Sequence, residues 1–446
     1  MTSDAVVVGA GHNGLVAANV LADAGWEVTV LEANEQPGGG VRSAEITVPG
    51  FHSDLCSAFY PFAAASPVFA RLELHRYGLR WRHAPAVLAH ALPDGRSAVL
   101  SRDLDRTAAS VDAFASGDGD AWRRMFAEWR RIAEPVLDAL FTPFPPLRPV
   151  AALAERIGTA GLLRLSRRLA MSVREFGEEN FAGEGARVLL TGCALHSDVS
   201  PEGTGSAAYG WLLTMVGQQL GFPVPEGGAQ AITDALVERL EAKGGQVVCG
   251  TRATRIVVAS GTAKGVVDAS GGRWQARRAV LADLPAETLY RDLVGVDRLP
   301  ARLADDLDRV RLDHPTLKID WALSAPVPWT DPDLADAGTV HLGGDTADMT
   351  RWAADLAAHR VPERPFLLTG QMGRADPTRS PEGTETLWAY THLPDTLRDA
   401  GRDDPRVAEY AEQVEAAIEA VAPGLTGLVL GRHVEGPADL ARSNPG

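Results

Sequence analysis

Three glycines near the amino terminus have the spacing of a phosphate-binding turn. Gly9, Gly11 and Gly14 form the pattern GxGxxG. In such a turn the first glycine allows a sharp bend, the second lets a pyrophosphate approach the backbone, and the third lets helix and strand pack closely. Glu32, about twenty residues further on, can accept hydrogen bonds from both hydroxyls of a ribose, and its charge disfavours a 2′-phosphate. These residues predict a site for a dinucleotide other than NADP.

The surrounding elements follow the order that this turn needs. Residues 5–8 are an apolar run typical of a buried parallel strand. The stretch 15–24 predicts a helix stopped by Gly25, and residues 27–31 predict a second strand that ends at Glu32. The first N–H groups of the helix would face the phosphates. A bare GxGxxG is a weak signal in a chain with 45 glycines, but the strand–helix–strand order makes it specific.

A second glycine cluster follows Glu32 almost at once. Gly38, Gly39 and Gly40 stand together, with Arg42 just beyond. One interpretation is a flexible surface loop. The other is a second close-approach loop beside a pyrophosphate and an isoalloxazine ring, with Arg42 as the nearby cation. An NAD dehydrogenase normally begins its next strand and helix here, so the cluster favours a flavin dinucleotide.

The sequence resembles flavoproteins of the phytoene desaturase and amine oxidase superfamily, above all the phytoene dehydrogenase-related FAD oxidoreductases. The segments that carry the resemblance are GAGHNGLVAA, PGGGVRSAE, PGFHSDLCSAFYP and VPEGGAQAITDAL. It is strong over residues 4–61 and 223–285 and diffuse elsewhere. The resemblance implies FAD as the cofactor and places the adenine near the backbone of Ala253. The residues that we expect to bind FAD are Gly9, Ala10, Gly11, His12, Asn13, Gly14, Glu32, Ala33, Gly39, Gly40, Arg42 and Ala253.

The resemblance also implies an α/β fold with two interleaved domains. One is a Rossmann-like FAD domain with a central parallel sheet and a β-meander. The other is an α+β substrate domain with an antiparallel sheet and helices. We expect the FAD domain to take residues 1–75 and 223–298, and the substrate domain to take residues 76–222 and 299–446.

One residue is a candidate for catalysis. Residues 316–323 alternate between polar and apolar side chains, as in a strand with one solvent-exposed face. This alternation places Lys318 and Asp320 on the same face. In the amine oxidase relatives a lysine on such a strand holds a water against flavin N5. The resemblance therefore makes Lys318 the catalytic candidate. An ordinary Lys–Asp pair on the surface is the alternative.

Two apolar stretches separate the FAD segments. Residues 203–225 carry no charge, which predicts either a buried helix or a helix that walls an apolar pocket or dips into a membrane surface. Residues 104–141 have a helical pattern with an apolar face that we expect in the core. That face consists of Trp122, Met125, Phe126, Trp129, Ile132 and Val136.

Composition excludes several classes of function. The net charge of −15 argues against nucleic acid and anionic membrane surfaces as partners. The three cysteines, Cys56, Cys193 and Cys249, form no CxxC, and the eleven histidines form no HxxxH or HExxH, so we expect no metal site. No leader and no apolar run of about 20 residues is seen, which favours a cytoplasmic protein without a membrane span.

We therefore expect an FAD-dependent oxidoreductase of the dehydrogenase or desaturase type, taking a hydride from an apolar, isoprenoid-like small molecule to flavin N5. Two alternatives stay open: an amine or amino-acid oxidase-like flavoenzyme, and a non-redox binding protein on the same fold, as in the Rab GDP-dissociation inhibitors. Relatives continue with a glycine-rich segment that completes the FAD site. No such motif precedes Gly446, which favours the binding protein slightly, whereas the intact glycine turns and Glu32 favour the enzyme.

Overall fold

A computed structural model of the protein describes residues 1–444. The strands within this part of the chain are β1 Thr2–Val8, β2 Val28–Leu31, β3 Ser43–Ala44, β4 Ser53–Asp54, β5 Trp81–Arg82, β6 Ala86–Ala91, β7 Ser97–Leu100, β8 Val224–Pro225, β9 Gln246–Val248, β10 Ala253–Ala259, β11 Thr262–Asp268, β12 Arg273–Ala282, β13 Thr316–Leu323, β14 Ala337–Leu342, β15 Leu367–Gln371, β16 Glu385–His392 and β17 Val429–Glu435.

Helices connect and cover these strands. They are α1 His12–Asp23, α2 Pro61–Ala65, α3 Pro67–Leu72, α4 Leu104–Asp112, α5 Asp118–Leu140, α6 Leu147–Ala170, α7 Val173–Asn180, α8 Glu184–Ala194, α9 Ser206–Leu220, α10 Gln230–Ala242, α11 Ala301–Leu307, α12 Pro332–Ala335, α13 Thr346–Ala357, α14 Met372–Ala375, α15 Pro405–Glu419 and α16 Pro437–Ser443. A π-helical segment, Thr288–Gly295, follows β12.

A six-stranded sheet carries the amino-terminal motif. Its strand order is β10-β11-β12-β1-β2-β9, and the pairs from β12 to β9 are parallel. Strand β1 lies between two parallel neighbours, with Ala5 opposite both Val28 and Ala279, which explains its continuous apolar run. Strands β10, β11 and β12 form an antiparallel meander at one side. The expected Rossmann-like sheet with a β-meander is confirmed.

A seven-stranded sheet is built from the parts of the chain that lie between and after the two segments of the first sheet. Its order is β17-β13-β16-β15-β14-β6-β7. The pairs are antiparallel, as expected, except that β6 and β14 run parallel. The first sheet uses residues 2–31 and 246–282, and the second uses residues 86–100 and 316–435. This division agrees with interleaved domains, and the boundaries at residues 75, 222 and 298 stay predictions.

Strand β13 is buried on both faces, so the prediction of one wet face is wrong. From Leu317 to Leu323 every residue is buried. Ile319 and Trp321 on one face belong to an apolar cluster with α15, and the other face is also covered. The sheet is a middle layer, and Lys318 and Asp320 therefore do not form a surface pair.

Helices α4 to α9 form a layer over the other face of this sheet. Of the alternatives for residues 203–225, the buried helix is the one observed, since Trp211, Met215 and Val216 of α9 are buried. Two indoles of α5 donate hydrogen bonds to Gln218 and Gln219 of α9. Trp122 Nε1 donates to Gln218 Oε1 at 3.0 Å, and Trp129 Nε1 donates to Gln219 Oε1 at 2.6 Å.

A buried ion pair joins segments of the chain that are far apart in sequence. Arg379 and Asp54 are both fully buried, and Nη2 lies 3.0 Å from Oδ2. Asp54 Oδ1 also accepts the N–H of Ala229 at 2.7 Å and the hydroxyl of Ser43 at 2.7 Å. The pair therefore ties the start of α10 and strand β4 to the chain just before β16.

Loss of one partner of this pair should destabilise the fold strongly. In Arg379→Met the Asp54 carboxylate stays buried without its cation, which costs about 3–5 kcal/mol. Thermal and urea unfolding measure the loss. The control is Arg302→Met, because Arg302 is 94% exposed and lies 3.8 Å from Asp306. Equal melting temperatures for the two variants would contradict the structural role of the buried pair.

Glu385 should make stability depend on pH. Burial raises its pKa to about 7, from 4.5 in the unfolded chain, although the N–H of Gly373 favours the carboxylate. The folded state thus binds the proton more tightly, and stability is lost as pH rises from about 4.5 to 7. In Glu385→Gln this loss is absent, so between pH 5 and 8 the free energy of unfolding of the variant should rise relative to the wild type, by about 3 kcal/mol at most, and urea unfolding at each pH measures the change. Exposed Glu382→Gln should show no such trend.

Candidate functional site

The three glycines of the GxGxxG pattern lie at the bend between β1 and α1, as the sequence predicts. Gly9 has a φ of +96°, and a Cβ on it would lie 2.7 Å from the carbonyl oxygen of Asp283. A Cβ on Gly14 would lie 2.3 Å from the carbonyl oxygen of Gly9. Gly11 is the residue that precedes the first turn of α1. The bend therefore needs glycine for conformation and for close packing.

Glu32 is held toward this bend. Its side chain is buried, Oε2 accepts the N–H of Ala10 at 2.9 Å, and Oε1 accepts the N–H of Asn34 at 2.9 Å. Both carboxylate oxygens thus have fixed positions at the carboxyl end of β2. They retain lone pairs for a ribose bound at the same edge.

The second glycine cluster is anchored to the first, which argues against a loose surface loop. The N–H of Gly38 donates to Ala10 O at 2.8 Å. A Cβ on Gly39, which has a φ of +56°, would lie 3.2 Å from the Cα of Gly11. Arg42 donates from Nε to Gly39 O at 2.9 Å and from Nη2 to Ser443 O at 2.6 Å. Its guanidinium shapes the loop.

A cleft of about 260 Å³ opens above the two glycine turns. Ala10, Gly14 and Arg42 lie behind the surface of the cleft. The other predicted cofactor residues line it: Gly9, Gly11, His12, Asn13, Glu32, Ala33, Gly39, Gly40 and Ala253. The structure therefore brings Ala253, from the start of β10, to the same cleft as the amino-terminal motif.

The sequence analysis missed part of the lining. Asp283 is the main omission: its Oδ2 accepts the N–H of Gly14 at 2.8 Å, and its own N–H donates to Val8 O at 2.9 Å. It directly follows β12, the parallel neighbour of β1, and the carboxyl ends of adjacent parallel strands meet at one edge. The position of Asp283 directly after β12 was therefore the signal from which its place in the site could have been predicted. The other lining residues not predicted are Val8, Leu31, Asn34, Thr251, Arg252, Leu284, Pro285, Thr288, Leu293 and Asn444.

Lys318 forms a buried ion pair with Asp320 on the face of β13 opposite Ile319 and Trp321. Both side chains are almost completely buried. Burial raises the pKa of Asp320, and the Lys318 ammonium acts against that shift. Desolvation likewise raises the pKa of Cys56, and Lys318 again acts in the opposite direction. Because Cys56 packs on Gly40, this places the ammonium near the second glycine loop.

An aromatic row adjoins the ion pair. Tyr390 lies opposite Lys318 in the register of β13 and β16, and it stacks on Trp388 with 6.0 Å between ring centroids. Phe59 packs on Trp388 at 6.0 Å. Phe59 is close to the second glycine loop, since the N–H of Ser57 donates to Gly40 O at 3.1 Å. The face from the glycine loop to β16 is therefore mainly apolar and aromatic.

The far end of this row gathers histidines that are scattered in the sequence. His392 Nε2 lies 3.0 Å from Asp198 Oδ1, and the Nε2 atoms of His196 and His341 are 3.2 Å apart. Burial lowers the pKa of His196 and of His90 to about 4, so both are neutral near pH 7. His392 is the member of this group with a carboxylate partner. Residues 1–444 contain no cluster suited to holding a metal ion.

Comparison with known proteins identifies the family. The sequence profile described as flavin containing amine oxidoreductase matches residues 14–289. The rat protein called pyridine nucleotide-disulfide oxidoreductase domain-containing protein 2 is 27% identical, over 98% of this chain and 82% of its own length. The neurosporene-forming phytoene desaturase of Cereibacter sphaeroides is 24% identical, over 94% of this chain and 79% of its own.

Solved structures share the fold. An oxidoreductase from Methanosarcina mazei superposes with a TM-score of 0.63 at 16% identity, covering 97% of this chain and 87% of its own. Wild-type putrescine oxidase superposes with a TM-score of 0.62 at 15% identity, and the superposition covers 99% of this chain and 90% of the putrescine oxidase chain. With the glycine turns, Glu32 and the cleft in place, the chain belongs to the flavin containing amine oxidoreductase family and is an oxidoreductase with FAD as its cofactor.

Proposed function

We propose that the protein dehydrogenates an apolar, isoprenoid-like substrate at an activated or allylic C–H bond. The observation that carries this proposal is the aromatic row of Phe59, Trp388 and Tyr390 beside the Lys318–Asp320 pair. Trp388 is buried in the apolar core and Phe59 and Tyr390 pack against that core, so the row would give an apolar chain bound beside Phe59 a wall that excludes water. FAD supplies the acceptance of the hydride when it is bound.

The residues of the cleft fit the ADP half of FAD. Gly9, Gly11 and Gly39 line the cleft with backbone atoms, and His12 and Asn13 bring the first turn of α1 to it. Gly9, Gly11 and Gly39 would admit the pyrophosphate, Glu32 would bind the adenosine ribose, and Ala253 would pack near the adenine. Asp283 holds the first turn of α1 in the geometry that receives the phosphates.

The Lys318–Asp320 pair has the chemistry to position a proton beside an oxidised substrate. An ammonium offers three donors, and Asp320 accepts one of them. The others can hold a water or a substrate atom on the apolar face. Asp320 fixes the direction of the lysine, and its own Oδ1 has no partner in the described chain.

The names of several relatives support an apolar substrate. Among similar sequences are a zeta-carotene-forming phytoene desaturase from Myxococcus xanthus and a hydroxyneurosporene desaturase from Cereibacter sphaeroides. The rival is an amine oxidase, which the description of the family favours. A cationic amine would need a carboxylate near the ring. Asp320 is paired with Lys318, which leaves Glu435, opposite Lys318 on β17, as the carboxylate that an amine could use. Because the chain belongs to a family of oxidoreductases, a binding protein without redox activity is not proposed.

Anaerobic reduction of the flavin distinguishes these functions. The purified chain is reconstituted with FAD, whose oxidised form absorbs near about 450 nm. We expect bleaching by phytoene dispersed in detergent and none by putrescine or cyclohexylamine. If the amines bleach the flavin and phytoene does not, the protein is an amine oxidase and the proposal is wrong. A chain that retains no FAD after gel filtration would contradict both enzyme functions.

Glu32→Ala should weaken FAD binding. The variant loses a charged acceptor for the ribose hydroxyls and leaves the N–H of Ala10 without its partner, at a cost of about 1.5–3 kcal/mol or roughly 10–100-fold in Kd. Quenching of flavin fluorescence on titration measures Kd. The matched control is Glu35→Ala, because Glu35 is exposed and lies three residues away. Unchanged affinity in Glu32→Ala would remove the carboxylate from the proposed site.

Replacement of the buried pair should slow chemistry without unfolding the chain. Lys318→Met/Asp320→Leu exchanges a buried ion pair for apolar side chains, which is often neutral for stability. We expect unchanged FAD affinity and a slower flavin reduction by the substrate found above, by about 100-fold. Stopped-flow absorbance measures the rate, and exposed Lys264→Met is the control. A normal rate in the double variant would show that the pair is structural.

A further inference from the structure

The connection between α5 and α6 exposes a cluster of apolar side chains. Phe144 is 93% exposed and Leu147 is 72% exposed, and Leu140 and Val150 are also exposed. Single exposed apolar residues are common on protein surfaces, but a contiguous group marks an interaction site. From Leu140 to Ala154 the chain carries no acidic residue. This segment, residues 140–150, is called the apolar tip below.

The helix that follows the apolar tip is basic within an acidic protein. Residues 140–170 contain five arginines and one glutamate, a charge of +4, whereas the whole chain has −15. Arg156, Arg167 and Arg168 have carboxylate partners. Arg148 and Arg164 have none among residues 1–444. Free guanidinium groups therefore stand on the same hairpin as the tip.

A small cleft between α5 and α6 gathers three guanidinium groups. It has a volume of about 150 Å³, with Arg131, Arg164 and Arg168 at its rim and Ile132 and Ile157 among its apolar lining. Glu128 neutralises Arg168 at 2.8 Å, which leaves two positive charges. A phosphate group suits this combination, because arginine binds phosphate oxygens with paired N–H donors.

The cleft and the apolar tip are separated by a distance that fits a lipid interface. Arg131 precedes Phe141 by ten residues of helix, or about 15 Å. An interfacial segment inserts its apolar residues about 5–10 Å into a bilayer, so the cleft would then lie at the level of the head groups. The net charge of the whole chain predicts repulsion from anionic membranes. Because salt at physiological ionic strength screens charges over about 8 Å, the charge of the α5–α6 hairpin itself determines the interaction at the contact.

We propose that the α5–α6 hairpin docks on an anionic phospholipid bilayer, with Phe144 and Leu147 inserted and a lipid phosphate in the cleft of Arg131 and Arg164. The contact lies on α5 and α6 and not on residues 203–225, because α9 is buried beneath them. The apolar core that includes Ile132 and Leu153 extends continuously to Trp388 and Phe59. Docking would thus place the helical layer that packs on the aromatic row against the bilayer. Vesicle binding needs no substrate, so it is tested independently of the proposed function.

Vesicle flotation tests the proposal with the FAD-loaded chain. The probes are vesicles of phosphatidylcholine and vesicles of equal parts phosphatidylcholine and phosphatidylglycerol. We expect binding to the anionic vesicles and little to the neutral ones. Phe144→Ser/Leu147→Ser should weaken binding at least about tenfold through lost apolar burial. Arg131→Gln/Arg164→Gln should weaken it by about 25-fold, about fivefold for each charge near the surface.

Matched controls separate the docking surface from general effects. Leu430→Ser removes an exposed leucine on β17, and Arg302→Gln/Arg309→Gln removes two exposed charges on α11 and the adjoining turn. Both should bind as the wild type does. A wild-type chain that stays with the vesicle-free fraction, or controls that lose binding equally, would overturn the proposal. Self-association lost only in Phe144→Ser/Leu147→Ser, without vesicle binding, would also overturn it and assign the surface to a second copy.

Discussion

The dinucleotide site depends on the close approach of backbone segments that leave no room for side chains between them. The turn after β1 meets the second glycine loop, where Gly38 donates to Ala10 O. It also meets the chain after β12, where the carbonyl oxygen of Asp283 would lie 2.7 Å from a Cβ on Gly9. None of these segments can withdraw, because β1 is paired on both sides in a parallel sheet. The pairing of the strands therefore sets the shape of the cleft, and glycine is required wherever two turns touch.

The local part of this site was predictable from the sequence, and the distant part was not. The bend, α1 and Glu32 lie within one strand–helix–strand unit, so their spacing alone indicates their arrangement. Asp283 lies 269 residues from Gly14, and its contribution depends on the parallel pairing of β12 with β1. Ala253 lines the cleft, where only the resemblance to flavoproteins pointed to it, since the pattern of residues near it has no feature that marks it; its contact with an adenine stays a prediction.

Burial was the property that the sequence predicted least well. Alternation along β13 shows that its two faces differ in polarity, and it does not show that the polar face is wet. Lys318 and Asp320 are nonetheless buried, because β13 is paired on both sides and both of its faces are covered. In the same way, the net charge of the whole chain gives no indication that the α5–α6 hairpin is basic. The two glutamines within residues 203–225 accept hydrogen bonds from Trp122 and Trp129, about ninety residues earlier in the chain, and no local pattern could show those partners.

The two buried ion pairs differ in what their burial accomplishes. Asp54 and Arg379 connect distant segments, and Asp54 also caps the start of α10, so the desolvation of both charges is offset by tertiary contacts. Lys318 and Asp320 are two residues apart on one strand, and their contact brings no other segment into place. Burying such a pair costs several kcal/mol for each ion, and apolar residues of similar size would pack there without that cost. Stability thus gives no reason for an ammonium at this position. This supports the role that we propose for Lys318 on the face that it shares with Tyr390 and Trp388.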